Sequence, residues 1–230
     1  MPQITPAHLR RADDMCRRRL AREVNGGKRR ANRTGDMRFA VSNRVEADAR
    51  LAQTEFGVPR LEAFVEPHEL EPEQRALYRA AKYGYVEMFG DDPARIVELP
   101  FRTEMPDSGV ELSSNIGLAA EMAGDRRQLR KLVVGAPRSS RLFDDIDLRV
   151  ALVRTEEWAP DRLEIVAVDV IEQRRVPVKV ADLGAARAEA RDWIAARVVR
   201  VLELASDPRP RAGRDCQGCA FISGCSVHSG

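Results

Sequence analysis

The sequence has no apolar run long enough to cross a membrane. Its 230 residues contain no uninterrupted apolar stretch of 18, 32% of them are charged, and mean hydropathy is −0.40. A membrane-spanning helix needs about 20 mostly apolar residues. The first twenty residues also lack the apolar segment of a secretory signal. We therefore expect a cytoplasmic protein that has no membrane partner.

Cysteine is scarce, with four residues in the whole chain. In a reducing compartment, stable disulfides are not expected. Three of the four nevertheless lie in the last fifteen residues, as Cys216, Cys219 and Cys225 in the spacing C-x2-C-x5-C, while Cys16 lies near the opposite end. Clustered thiols in a cytoplasmic protein indicate a metal site.

The spacing of the cysteines distinguishes between two kinds of metal site. Structural zinc sites usually combine two close pairs of ligands, whereas here a compact triplet needs one distant residue to complete four. This arrangement favours a 4Fe-4S cluster in which Cys16 joins the triplet and the two ends of the chain meet. The alternative is zinc held by the triplet and His228, with Cys16 a small buried residue. His8 and His68 are interpreted as ordinary exposed residues.

Positive charge is concentrated at the start of the chain. Residues 1–40 carry eleven Lys and Arg against four Asp and Glu, although the formal net charge of the whole chain is only +2. Most of these cations are arginines, whose planar guanidinium groups suit bidentate contacts with phosphate. A polyanion such as nucleic acid is one partner that this charge indicates. The alternative is a solvated basic face in a chain that is rich in arginine throughout.

Hydrophobic periodicity predicts a mixture of helices and strands. Helical spacing is found over 5–24, 40–56, 71–89 and 183–204, while the segment 141–153 is ambiguous by period but long enough to be a helix. Strand-like runs are found over 95–104, 110–122, 128–135, 163–171 and 176–180, of which the first three indicate an antiparallel meander. In the helix predicted over 71–89, Leu77, Ala81, Tyr85 and Met88 form a stripe that we expect in the core.

These segments indicate one α/β domain over residues 1–230. A basic N-terminal helix and loop, residues 1–35, carries Cys16. A Pro- and Gly-containing linker leads into the cysteine triplet, and together they form a C-terminal segment over 206–230. No internal repeat or low-complexity tract is found.

The motifs in this order resemble one nuclease family. The segment MCRRRL at Cys16, the strand IVELPF at 96–101 and the closing C-x2-C-x5-C pattern are similar to the iron-sulfur members of the RecB-like branch of the PD-(D/E)xK superfamily. That group includes CRISPR adaptation exonucleases and the B subunit of AddAB-type helicase-nucleases. The resemblance spans essentially the whole chain. It implies a restriction-endonuclease-like core, with a mixed central sheet flanked by helices, and a four-cysteine cluster that joins the termini.

The resemblance breaks down at the catalytic positions. In these nucleases a hairpin carries an aspartate and the next strand carries D/E-x-K, and the carboxylates hold Mg²⁺ or Mn²⁺. Alignment with SSNIGLAAEM and QLRKLVVG places Gly117 at the aspartate, Lys131 at the acid and Val133 at the lysine. Glu46 falls near a histidine that many relatives use. A lysine would repel a cation about 4 Å away by roughly 4 kcal/mol per unit charge at an effective dielectric constant near 20, so we expect no magnesium there.

Other acidic residues leave an alternative open. A relocated metal site could draw on six other carboxylates, which are Glu98, Glu111, Glu121, Asp144, Asp145 and Asp147. Under this alternative the protein is an active Mg²⁺- or Mn²⁺-dependent DNA exonuclease that uses Glu98, Glu111 and an aspartate such as Asp145. Acidic residues at the start of a helix are, however, more often caps than ligands.

The resemblance and the charge together imply a DNA-binding protein of DNA processing, repair or defence that has no nuclease activity and whose partner is single-stranded or branched DNA. The residues that we expect to contact phosphate are Arg17, Arg18, Arg19, Arg29, Arg30, Arg33, Arg126, Arg127 and Arg130. Contacts of this kind depend on salt and are largely independent of sequence. A third alternative is an assembly subunit whose basic surface binds an acidic protein, such as a helicase or nuclease partner.

Overall fold

The computed structural model describes most of the chain. The described residues are 1–26, 37–66, 70–98, 102–105, 109–114, 117–135, 145–155, 163–207, 209 and 225. In chain order, the helices are Pro6–Arg11 (α1), Arg17–Val24 (α2), Met37–Ala52 (α3), Pro72–Phe89 (α4), Ile146–Arg154 (α5) and Leu183–Ser206 (α6). The strands are Gln3–Ile4 (β1), Ala94–Val97 (β2), Arg102–Met105 (β3), Val110–Ser113 (β4), Leu118–Met122 (β5), Arg127–Val133 (β6), Leu163–Asp169 (β7) and Arg174–Pro177 (β8).

The chain divides into two compact units. The first, which we call the terminal unit, comprises Met1–Arg33, Phe101–Ser114 and Glu189–Gly230, and the second, the sheet unit, comprises Thr34–Pro100 and Asn115–Ala188. The expected α/β class, with mixed sheets flanked by helices, is confirmed. The nuclease-like core and the extent of a single domain stay predictions.

A five-stranded mixed sheet organises the sheet unit. Its strand order is β2-β5-β6-β7-β8, and every neighbouring pair is antiparallel except β6 and β7. Parallel neighbours need a crossover connection, and helix α5 lies in the segment that joins β6 to β7. The run predicted over 110–122 is not one strand, because β4 belongs to a separate three-stranded sheet and β5 to this one.

Helices α3 and α4 cover an apolar surface of this sheet. The predicted stripe on α4 is confirmed, since Ala81 and Tyr85 are fully buried and Leu77 and Met88 pack against the same core. Helix α4 begins at a Glu71 capping box with Pro72 in its first turn, a combination that favours a helix start. The core is therefore made where the apolar side of a helix meets the apolar side of the sheet.

The terminal unit contains the three-stranded sheet β1-β4-β3 and both N-terminal helices. The predicted single helix over 5–24 is two helices, which the residues between Arg11 and Arg17 separate. His8 is a correction: it is buried, its Nδ1 accepts from the Thr5 N–H at 3.2 Å, and its Nε2 lies 3.1 Å from a Glu23 carboxylate oxygen. The histidine connects α1 to α2, so its burial satisfies polar groups of both helices.

Among the residues that the structure describes, no helix combines the length and the apolar character needed to cross a membrane.

Gly84 offers a test of how closely α4 approaches Val170, the residue that follows β7. A Cβ at this position would lie 1.7 Å from the carbonyl oxygen of Val170. We expect Gly84→Ala to lower the free energy of unfolding by at least about 3 kcal/mol, because the backbone must move to relieve the overlap. The helix propensity of alanine would favour the opposite change by about 1 kcal/mol. Urea denaturation of the purified variant measures the difference.

Gly57 provides the matched control for this substitution, since a Cβ added at this residue would have no atom within 4 Å. Gly57→Ala should change stability by less than about 0.5 kcal/mol. Equal effects of the two substitutions would contradict the close approach of α4 to Val170.

Candidate functional site

A cluster of polar groups lies inside the sheet unit, where α3 and α5 meet the ends of β5 and β6. We call it the polar centre, and its members are Glu46 and Arg50 of α3, Gly117 before β5, Lys131 of β6, and Asp145 and Asp147 at the start of α5. Three of the four positions that the motif alignment selected, Glu46, Gly117 and Lys131, belong to it. The fourth, Val133, lies two residues further along β6.

Glu46 accepts hydrogen bonds at the point where the pairing of β5 with β6 ends. The last strand pair is Leu118 with Arg130, so the N–H of Leu132 lies beyond the end of β5. The Oε1 of Glu46 accepts from this N–H at 3.0 Å, and its Oε2 accepts from the N–H of Gly117, also at 3.0 Å. The side chain is 2% exposed. Glu46 thus supplies two buried N–H groups with acceptors that the sheet itself does not provide.

Arg50 binds the carbonyl oxygen of Gly117, the residue whose N–H donates to Glu46. Its Nη2 donates to the carbonyl oxygen of Gly117 at 3.0 Å and lies 3.6 Å from the Oε2 of Glu46. Residues four apart lie on one face of a helix, which is why Glu46 and Arg50 can hold both the N–H and the C=O of Gly117. The sequence spacing E-x3-R is the signal that could have identified Arg50, which sequence reasoning missed.

Gly117 has a backbone that does not suit an aspartate. Its φ is +89°, and a Cβ there would lie 3.3 Å from Leu129 Cδ1 and 3.5 Å from Ala151 Cβ. Residues other than glycine rarely adopt such a φ. The position therefore differs from a metal-binding aspartate in its backbone as well as in its side chain.

Lys131 supplies a second positive charge to the polar centre, in addition to that of Arg50. Continuing the β5–β6 register by one residue beyond Leu118 and Arg130 places Lys131 opposite Gly117. Its ammonium donates to the carboxylate of Asp145 and, at 3.3 Å, to the Oδ2 of Asp147. The side chains of Lys131 and Asp147 are 13% and 5% exposed. An ammonium thus lies among carboxylates where the alignment expects an acidic ligand.

Asp145 has a second role as the N-cap of α5. Its Oδ1 accepts from the N–H groups of Asp147 and Leu148 at 3.0 and 3.2 Å. A carboxylate at this position satisfies the first N–H groups of the helix and interacts favourably with its dipole. The two aspartates are therefore already used in holding α5 and neutralising Lys131.

Burial changes the acidity of Glu46. Removal from water raises its pKa from 4.5 to about 7, while the charge of Arg50, the two backbone N–H groups and the charge of Lys131 oppose the rise. A buried carboxylate with a pKa near neutrality takes up and releases protons in the physiological range.

The polar centre does not fit a hard divalent cation. Magnesium requires oxygen ligands in a nearly octahedral arrangement, whereas Gly117 offers no side-chain oxygen and the carboxylates of Asp145 and Asp147 bind the ammonium of Lys131. Within the described residues, no group of three or more His, Cys, Asp or Glu is placed to hold a metal ion.

The residues of the alternative metal site lie in different parts of the fold. Glu98 is exposed beyond the end of β2 in the sheet unit, and Asp145 caps α5. Glu111 is on β4 of the terminal unit, where it accepts from Gln3 at 3.3 Å. Glu121 accepts from Arg95 at 3.0 Å, and Asp144 lies outside the described residues.

The cysteines are described in part. Cys16 precedes α2 and is half-buried, Cys225 is also half-buried, and neither forms a disulfide. Both belong to the terminal unit. Cys216, Cys219 and His228 lie outside the described residues. A 4Fe-4S cluster or zinc at these thiols stays a prediction.

An ion pair joins the surroundings of Cys16 to the segment before the triplet. Arg17, the residue after Cys16, donates to the Oδ2 of Asp207 at 2.7 Å, and Asp207 precedes Cys216 by nine residues. The half-buried position of Cys16 and this contact fit a site that takes ligands from both ends of the chain. In that site the four cysteine thiolates would hold the cluster.

The arginines expected at phosphate have varied surroundings. Arg19 is paired with Glu23 at 2.7 Å and Arg127 lies 3.5 Å from Glu121, whereas Arg126 is exposed and Arg18 half-buried. Arg29, Arg30 and Arg33 lie outside the described residues, as does His68.

Arg130 is a correction. Its side chain is fully buried, with Nε donating to Gln128 at 2.6 Å and the guanidinium carbon 3.8 Å from the centre of the Phe89 ring. Burial lowers its pKa. A residue in this position cannot contact phosphate at the surface. Alternation along β6 turns residue 130 towards α4, which the local arginine-rich sequence did not reveal.

No protein-family model matches this sequence, and no curated protein matches it. The functional proposal therefore depends on the geometry of the described residues and on the motifs in the sequence.

Removal of the Lys131 charge tests whether its ammonium compensates for the burial of the Asp145 and Asp147 carboxylates. We expect Lys131→Met to lower the free energy of unfolding by about 3 kcal/mol, because two neighbouring carboxylates lose the cation that compensates for their burial. Urea denaturation measures the loss. The matched control is Lys179→Met at an exposed lysine, for which we expect a change below about 0.5 kcal/mol. A loss below about 1 kcal/mol in Lys131→Met would contradict the compensating role.

The cysteine site has its own test. Anaerobically purified protein should contain four irons and four sulfides, and Cys16→Ala should lose them, because a cubane cluster takes four thiolate ligands. Absorption spectroscopy with iron and sulfide analysis measures the content, and Cys16→Ser provides a second variant of similar volume. Tightly bound zinc without sulfide would contradict the cluster and favour the zinc alternative.

Proposed function

We propose that this protein binds single-stranded or branched DNA without cleaving it, on a RecB-like nuclease fold whose ends are joined by a 4Fe-4S cluster. The observation that carries the proposal is the polar centre. Positions 46, 117 and 131, which the motif alignment selects as chemical positions, lie together, and the charge at their centre is the ammonium of Lys131.

The absence of cleavage follows from the ligands that phosphodiester hydrolysis by a metal ion requires. A hard cation such as Mg²⁺ is held by oxygen ligands, chiefly carboxylates, when it activates water next to a scissile phosphate. The ammonium of Lys131 takes the place of such a cation, and Asp145 and Asp147 are its counter-ions. A single positive charge of this kind balances the local carboxylates but cannot act as a Lewis acid.

The order of the elements supports the nuclease-like fold. Within the sheet unit, helix α4 is followed by the antiparallel strands β2, β5 and β6, then by α5 and by β7, which is parallel to β6, while β3 and β4 belong to the other sheet. The family resemblance implies the same succession of helix, meander, helix and strand. The juxtaposition of Gly117 and Lys131 also supports the alignment, because the two positions were chosen from separate motifs.

The basic N-terminal segment supports binding to a polyanion. Eleven Lys and Arg among residues 1–40 produce a local excess of positive charge, and neutralising phosphates releases counter-ions from the nucleic acid. Arg18 on α2 and Arg126 in the turn between β5 and β6 are the described candidates for such contacts. Contacts of this kind hold the backbone and do not select a sequence.

DNA binding is tested by the salt dependence of affinity. We expect the protein to bind a fluorescein-labelled single strand of about 20 nucleotides at about 50 mM salt, with the affinity falling steeply as salt increases. Each of the single variants Arg18→Gln and Arg126→Gln should reduce the slope of log K against log salt by about 0.7, the value for one lost phosphate contact. Fluorescence anisotropy over a series of salt concentrations measures the slope.

The matched control is Arg60→Gln, a substitution at an exposed arginine of the sheet unit that should leave the slope unchanged. The same complex incubated with Mn²⁺ should yield no shortened strands on a denaturing gel. Degradation that Glu111→Gln or Asp145→Asn abolishes would favour the exonuclease alternative. Lack of binding at about 50 mM salt would contradict the proposal and favour an acidic protein partner.

A further inference from the structure

Helix α2 has a buried side and a basic side. The buried residues of this helix are Leu20, Ala21, Glu23 and Val24. Arg18 and Arg22 lie on the opposite side, where Arg22 is exposed and Arg18 is half-buried. Residues four apart share one face of a helix, so the two arginines are neighbours on the surface of α2. We call them the α2 basic face.

The other two arginines at the start of α2 are committed to contacts within the terminal unit. Arg17 donates to the Oδ2 of Asp207 at 2.7 Å. Arg19 donates to the Oε1 of Glu23, also at 2.7 Å, and the Oε2 of the same carboxylate lies 3.1 Å from the Nε2 of His8. These ion pairs connect α2 to α1 and to the residue that follows α6. The run of three arginines thus contains two whose side chains hold the helix in place.

The acidic groups around α2 are balanced by cations that do not belong to the α2 basic face. Glu23 is paired with Arg19, and Asp13 accepts from Arg197 and Arg200, each at 2.9 Å. No acidic residue lies in the first turn of α2. The charges of the α2 basic face therefore add to the excess of positive charge that residues 1–40 carry.

The spacing of the α2 basic face suits the backbone of a nucleic-acid strand. Side chains four residues apart on a helix have their Cβ atoms about 5–6 Å from each other. A guanidinium group binds phosphate through two parallel hydrogen bonds. Two such groups side by side on one helix face can each bind one of two neighbouring phosphates in the same strand.

We propose that the α2 basic face binds two neighbouring phosphates of a single DNA strand, while Arg17 and Arg19 keep α2 in position. This inference rests on the proposed DNA binding and assigns it to one surface. Arg22 lies outside the arginine run from which the phosphate contacts were predicted, and its place on the same helix face as Arg18 identifies it. Contacts of this kind hold the backbone and do not select a sequence.

The salt dependence of DNA binding tests the assignment in the full chain. Fluorescence anisotropy with a labelled single strand of about 20 nucleotides is measured from about 50 to 200 mM salt. Arg22→Gln should reduce the slope of log K against log salt by about 0.7, as Arg18→Gln does, because one phosphate contact is lost. The double variant Arg18→Gln/Arg22→Gln should reduce the slope by about 1.4, since the two contacts are made with one strand.

Three further variants separate a phosphate contact from a general effect of charge. Arg22→Lys keeps the positive charge and should keep the slope. Arg200→Gln removes the same charge from the same unit, at a residue of α6 that is paired with Asp13, and should leave the slope unchanged. Arg19→Gln should reduce the slope by less than Arg22→Gln, because Arg19 is paired with Glu23. Far-UV circular dichroism confirms that each variant is folded.

The outcomes distinguish this assignment from the proposed function. An unchanged slope in Arg22→Gln would overturn the assignment and leave DNA binding in place. Equal reductions in Arg22→Gln, Arg19→Gln and Arg200→Gln would also overturn it, because they would indicate a general effect of charge. Lack of binding by the unmodified protein at about 50 mM salt would contradict the proposed function itself and the assignment with it.

Discussion

The sheet unit depends on the carboxylate of Glu46, which accepts hydrogen bonds from backbone N–H groups that β5 does not pair. Strand β5 begins at Leu118, while the antiparallel β6 continues past that residue to Val133, so the N–H of Leu132 has no β5 residue with which to pair. An unsatisfied buried N–H costs about 1–3 kcal/mol, and Glu46 provides acceptors for this group and for Gly117. The start of one strand, the conformation of the residue before it and the docking of α3 therefore depend on the same side chain.

The buried carboxylate of Glu46 needs compensating positive charge, and its neighbours in the polar centre supply that charge. Arg50 and Lys131 supply positive charge, and Lys131 is bound in turn by Asp145 and Asp147. Acidic and basic groups thus alternate from α3 across the sheet to α5. The internal ammonium of Lys131 therefore keeps β6 and the start of α5 together.

The parts of the fold that could be predicted are those in which local pattern and tertiary packing agree. The stripe on α4 was predictable because its apolar residues recur at the helical period. The antiparallel pairing of β5 with β6 was predictable from two strand-like runs separated by a turn, whereas the register that places Lys131 opposite Gly117 is supplied only by the structure. The burial of His8 and Arg130 was not predictable, because histidine and arginine are usually exposed and only the tertiary structure supplies their partners.

The terminal unit raises the question of what keeps the two ends of the chain together. Closing a loop of about 200 residues costs roughly 5 kcal/mol, and exposed ion pairs such as those of Arg17 with Asp207 and Arg197 with Asp13 contribute about 0–1 kcal/mol each. The ion pairs alone therefore do not offset the closure. Burial of an aliphatic side chain contributes about 1.5–3 kcal/mol, and α6 buries Ile194, Val198 and Val201 completely. Apolar burial on α6 is therefore a larger contribution to the stability of the terminal unit than these ion pairs.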